Sequence, residues 1–188
     1  KSNDSVSNVF SYQASRKSII QRLLYRFKLK IPQHLINQEL LNGRKGTYEI
    51  FTFPTSDYLL HLHPLVLEAD VINLHWVAGF IDYPSFFKYV KQPIIWTLHD
   101  SNPFLGGFHL PDDVHANKTE FDDLEDKLRI LKEGILAKLN NLTIVSPSKW
   151  LGINSQSSLA FKNKKHYHIL NGLDINVFRP YNKSLAVD

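Results

Sequence analysis

The sequence contains no cysteine and no methionine. Without cysteine the chain can form neither a disulfide framework nor a thiolate metal site. A reducing compartment is compatible with that. The lack of methionine, even at position 1, leads to the expectation of an excised or processed piece of a longer chain. Long hydrophobic runs are missing too, and none approaches the ~20 residues of a membrane span. The first ten residues are polar and lack the apolar core of a secretory signal. The glycosylation-type triplets at Asn117 and Asn141 therefore read as chance matches. Charge of neither sign dominates: lysine and arginine number 22 against 18 acidic residues, a formal +4. That mild excess suits an anionic ligand or membrane surface, and it gives no reason to expect a nucleic-acid partner.

What is present is enough apolar residues for a core. The hydrophobic fraction is 43% over 188 residues, which fits one ordinary domain or most of one. Residues 1–15 are polar and aperiodic, so they read as a loop. From Arg16 to Lys30 the apolar positions Ile19, Ile20, Leu23, Leu24 and Phe27 fall on one face of a basic amphipathic helix. Such a helix packs on a core or lies on anionic lipid headgroups. Pro32 ends it, and a short helix follows over 34–41, closed by Asn42-Gly43. Residues 48–53 alternate like a strand, and 58–67 are ambiguous.

Beyond that point strands and helices alternate. Strands are expected over 69–76, 93–98, 142–148 and 166–170. Helices are expected over 85–91, over 120–139 with Leu124, Leu128, Leu131, Ile135 and Leu139 on one side, and from Ser148 onward. The strands are nearly continuous apolar runs. This pattern predicts an α/β fold, a Rossmann-like parallel sheet with helices on both faces.

In open parallel sheets ligands bind at the carboxyl ends of the strands. Here those ends are polar. They read His75-Trp76, His99-Asp100, Ser146-Pro147-Ser148 and Asn171-Gly172-Leu173-Asp174. All four are expected along one rim. Each also has a purely local reading: His99 as a strand cap, Gly106-Gly107 as a turn, Ser148 as a helix N-cap and Asn171-Gly172 as a turn. The glycine pair is expected to let its loop approach a ligand closely.

The segments "VINLHW", "PIIWTLHDSNPFLGGFH", "TIVSPSKWL" and "ILNGLDINVFRP" occur in that order. Together they resemble the N-terminal domain of family 4 glycosyltransferases of the GT-B fold, bacterial polysaccharide and capsule type. The resemblance covers residues 68–180. It implies a retaining transfer of sugar from a nucleotide-sugar donor to a glycan or lipid-linked acceptor, without a metal. It places His99 at the donor sugar and reacting centre. Asp100, Asn102, Gly106, Gly107 and His109 would shape the acceptor side, next to His75 and Trp76. Ser146 and Ser148 would line the cleft floor, and Asn171, Gly172 and Asp174 would approach a hinge. Glycine amides and the helix N-terminus near Ser148 would stabilise charge on the leaving diphosphate. The resemblance further implies that residues 1–180 are an incomplete N-terminal domain, without the family's first strand and Gly-rich loop. Residues 181–188 would begin a linker to a nucleotide-sugar domain, so the isolated chain is expected not to turn over. After the glycine pair this chain carries Asp112, Asp113 and His115 where relatives often carry cysteines. The expected location is the cytoplasm, with peripheral contact at the inner membrane face through residues 16–30.

Two other readings compete. In one, His61 and His63 face one side of a strand and bind a divalent ion with Asp70, Asp100 or Asp112, as in a metal-dependent hydrolase. In the other, the chain is a non-catalytic carbohydrate- or membrane-surface-binding module, with Trp76, Phe104, Phe108 and Trp150 stacking on sugar rings.

Overall fold

The computed structural model describes residues 31–180. The basic helix expected over 16–30, the polar start and the linker expected over 181–188 lie outside the described residues.

The described chain runs α1 (Gln33–Leu41), a 3-10 turn (Leu60–Leu62), α2 (Pro64–Leu67), β1 (Ile72–Leu74), α3 (Tyr83–Tyr89), β2 (Ile94–Thr97), a 3-10 turn (Asn102–Phe104), α4 (Pro111–Ala116), α5 (Lys118–Leu136), β3 (Leu142–Ser146), α6 (Lys149–Ser157) and β4 (Lys165–His168). The strands form one sheet in the order β1-β2-β3-β4, all parallel. The fold is α/β, a parallel sheet flanked by helices, Rossmann-like as the alternation predicted. Each crossover steps the same way along the sheet. One face of the sheet packs against residues of the crossover helices.

That face holds the main core. Leu74, Ile94, Trp96, Leu142 and Ile144 of the sheet are buried with Phe86 and Phe87 of α3, Leu136 of α5, Leu151 of α6 and Phe161. Trp96 stacks on Phe87 with centroids 5.8 Å apart and meets Tyr83 and Phe161 edge-on. The alternate positions Ile95, Thr97 and Thr143 are half-buried and Asn73 is exposed.

Local chemistry sets the boundaries. The Asp82 carboxylate accepts from the Ser85 amide at 3.1 Å and Pro84 follows in the first turn, so α3 begins ahead of the expected residue 85. Ser148 caps α6 as its local reading required. The strand expected at 48–53 is absent. Only a single antiparallel bridge joins Phe51 to Phe108. The alternation there serves a second core instead, in which Tyr48, Phe51 and Phe53 pack with Phe108 and Phe121. Beside that bridge the Thr52 amide donates to the Gly107 carbonyl at 2.9 Å.

The long helix also differs from its expected stripe. It buries Phe121, Leu124, Glu125, Leu128, Lys132 and Leu136, while Leu131 is exposed. Ile135 and Leu139 pack against the main core as expected, and one acid and one base face inward as well.

Candidate functional site

The carboxyl ends of β1 and β2 place His75, Trp76, His99 and Asp100 side by side, because Leu74 pairs with Trp96 in register. His75 Nδ1 and His99 Nε2 are 2.9 Å apart. One ring donates and the other accepts, so the neutral pair turns one donor nitrogen and one acceptor nitrogen outward. A single added proton makes both outward nitrogens donors. Both rings are exposed.

Beside them the Trp76 indole N–H donates to Asp100 Oδ2 at 2.9 Å. The ring is fixed by its edge while 55% of the residue stays exposed. The same Asp100 oxygen accepts from His109 Nδ1 at 2.6 Å, and Asp100 Oδ1 accepts from the Asn102 amide at 3.0 Å. Burial works against the Asp100 carboxylate. The His109 hydrogen bond and charge, the Asn102 amide and the Trp76 indole outweigh it and hold its pKa below the ordinary value.

A directed chain continues inward. Asn102 Nδ2 donates to Thr52 Oγ1 at 3.2 Å. Thr52 Oγ1 lies 3.0 Å from His109 Nε2. The Asp100 carboxylate at Nδ1 can only accept, so His109 carries a proton there, and the Thr52 hydroxyl can accept from the Asn102 amide while donating to Nε2. Thr52 also borders a cleft of about 540 Å³ lined by Asn37, Thr55, Ser56, Asp57 and Tyr58.

Beneath the rim lies a buried polar hub. Lys132, 1% exposed, donates to the Asn102 carbonyl at 2.7 Å and stands over the Tyr83 ring at 5.6 Å. Burial lowers its ammonium to about 7, against the pull of Glu125 and Asp100. Burial and, next, the Asp100 charge push the Tyr83 phenol upward. The Glu125 carboxylate accepts from the amides of Gly106, Gly107 and Phe108.

These contacts correct the expectation for the glycine pair. A Cβ at Gly106 would overlap the Glu125 carbonyl, and one at Gly107 would overlap the Phe51 ring. The close approach is to the protein itself, and the amides expected to face a leaving diphosphate are bound to Glu125. Asn102 and His109 are buried and interlocked, so they set the rim from below rather than meeting a ligand. Phe104 and Phe108 are core residues and cannot stack on a sugar, whereas Trp76 and Trp150 are exposed.

At the β3 end Ser146 is buried and Ser148 caps α6. Asn171, Gly172 and Asp174 are exposed, and among the described residues the Asp174 side chain accepts from the nearby Asn176 amide at 2.9 Å. No hydrogen bond or ring contact among the described residues ties these three to the cluster.

The His61–His63 pair does not sit on a strand. His61 is buried in a 3-10 turn and stacks on Tyr89 at 4.9 Å, while His63 Nδ1 accepts from the Leu65 amide at 3.2 Å. The two rings serve different local tasks. Among the described residues no group of three or more His, Cys, Asp or Glu is placed to hold a metal ion. No described helix is long and apolar enough to cross a membrane.

Thr52, Glu125, Lys132 and Tyr83 were not singled out from the sequence. Glu125 and Lys132 do carry a signal: they fall seven apart within an apolar helical stripe, a spacing that turns both inward. Compared with family models, curated proteins and solved structures, the chain matches none.

Proposed function

We propose that this rim belongs to a glycosyltransferase that moves a sugar, with retention, from a nucleotide-sugar donor to a glycan or lipid-linked acceptor. One observation carries the reading: the exposed His75–His99 pair stands beside an indole fixed by Asp100, at the carboxyl ends of two parallel strands. Sugar hydroxyls donate and accept, and the neutral imidazole pair offers one partner of each kind. The C–H face of a pyranose suits an immobilised indole. As the anomeric carbon leaves the diphosphate, negative charge grows on the departing oxygen, and an imidazole N–H aimed there lowers the barrier. His99 takes that role, with His75 fixing its tautomer and Asp100 holding the platform. The neighbouring cleft lined by Asn37, Thr55, Ser56 and Asp57 supplies hydroxyl-binding groups for an acceptor. Retention and the donor class rest on the family resemblance.

The exposed Trp76 also favours a second reading, a non-catalytic carbohydrate-binding surface. A panel of nucleotide sugars, followed by nucleotide release, separates the two. The transferase reading expects one donor to be consumed, with the rate falling about 10²-fold or more in His99→Ala. If sugars quench tryptophan fluorescence, if Trp76→Ala removes the quench and if no donor is consumed, the binding-module reading replaces it.

A further inference from the structure

The β3–β4 end of the rim carries a second hollow, separate from the histidine pair. It has a volume of about 360 Å³ and is lined by Ser146, Lys149, Gly152, Gln156, His166 and His168, among others. Its lining contains no carboxylate. The N-terminus of the nine-residue α6 opens onto it. First-turn amides lack intrahelical partners, and the helix dipole favours negative charge there.

The decisive feature is Ser146. It is 2% exposed, yet its hydroxyl lines the hollow and bonds to none of the described residues. Its backbone carbonyl is engaged by the Ile169 amide at 3.1 Å, so the strand itself is satisfied. The residue is buried while its hydroxyl opens on the hollow without a partner among the described residues, which points to a partner from outside. Lys149 adds a positive charge that enters no ion pair among the described residues. His166 is held through Ser155 at 3.0 Å, which leaves His168 as the more exposed ring at the mouth.

We infer that this hollow binds a phosphoryl group. An acceptor-only oxyanion matches a lining of donors: the Ser146 hydroxyl, the Lys149 ammonium, the first-turn amides of α6 ahead of Leu151, whose own amide is taken by Ser148, and the His168 ring. Binding is argued from the hollow alone, while its place in sugar transfer rests on the reading above. There the phosphoryl group comes either from the donor diphosphate or from a phosphorylated acceptor.

The test is titration with inorganic phosphate, pyrophosphate, uridine diphosphate and glycerol 1-phosphate at constant ionic strength, followed by amide NMR shifts in the intact chain. Saturable shifts centred on residues 148–152 are expected. Lys149→Gln and Ser146→Ala should each weaken binding about tenfold. Gly152→Ala, whose Cβ would sit 2.7 Å from Ser146 Oγ, should turn that hydroxyl away with no change of charge and weaken binding as well. His99→Ala should leave binding unchanged, so a failure of the transferase reading cannot be mistaken for a failure of this one. Tighter binding of uridine diphosphate than of pyrophosphate assigns the group to the donor. Tighter binding of glycerol 1-phosphate than of inorganic phosphate assigns it to the acceptor. Shifts that do not saturate, that chloride reproduces, or that survive both Ser146→Ala and Lys149→Gln overturn the inference.

Discussion

The two ends of the rim share one fold geometry and treat their polar groups in opposite ways. At the β1–β2 end nearly every polar atom below the surface is bonded to another: Trp76 and His109 to Asp100, Asn102 to Thr52, Lys132 to Asn102, Glu125 to the glycine amides. Only the outward nitrogens of His75 and His99 and the face of Trp76 remain for a ligand. At the β3–β4 end the Ser146 hydroxyl and the Lys149 ammonium have no hydrogen-bond or ion-pair partner among the described residues. The first end is rigid because its own groups fix each other. The second is a set of donors whose acceptor is not among the described residues. A parallel sheet thus offers two kinds of site on one edge, a preorganised surface for orientation and an unsatisfied hollow for charge.

The largest way to break this contrast is Glu125→Ala. It strips three buried amides of their acceptor and removes the anion that balances Lys132. A loss of about 3–5 kcal/mol in denaturant unfolding is expected. A loss below about 1 kcal/mol would mean that the loop finds other partners and that the first end is not held from beneath.

A smaller effect sharpens the contrast through pH. Lys132 titrates near 7 in the folded protein and at 10.5 when free. Between those values the unfolded chain binds the extra proton, so this group's contribution to stability rises with pH. Below 7 both states carry the proton and the contribution is flat. From pH 7 to 8 the gain is up to about 1.4 kcal/mol. Lys132→Met should abolish the rise in melts across that window. An unchanged profile would assign it to another group.

The smallest effect lies at the other end. Ser148→Ala removes the acceptor for the Leu151 amide at 3.2 Å. It should cost about 1 kcal/mol. The Asp100–His109 contact, read from imidazole NMR, should not change. A shift at His109 would show that the two ends are coupled rather than independent.

The parallel sheet was legible because period and punctuation agreed. Apolar runs ended in polar pairs at 75, 99, 146 and 168–171, and Ser148 marked a helix start, whereas the Asp82 cap went unread. The rim followed from the carboxyl-end rule, and His75, Trp76, His99 and Asp100 do come together there. The foundations beneath it were not legible. Gly106 and Gly107 advertised closeness without saying to what, and only the position of α5 shows that the answer is Glu125 and Phe51. The alternation at 48–53 looked like a strand because sequence shows side-chain period but not whether a partner strand exists. Asn171, Gly172 and Asp174 satisfied a motif, yet nothing in a motif fixes where its backbone travels after β4.

The order of the strands has a consequence for how the molecule is made. Each strand joins the sheet beside the one that precedes it in the chain, so no later segment has to insert between earlier ones. Assembly can advance as the polypeptide leaves the ribosome, adding one edge at a time. The longest closure joins β2 to β3 across α4 and α5, and the entropy of that loop is met only when α5 docks. Glu125 and Lys132 sit on that helix. The residues that brace the rim from below are therefore among those that arrive with the slowest closure, and the histidine pair acquires its support only when the third strand is home.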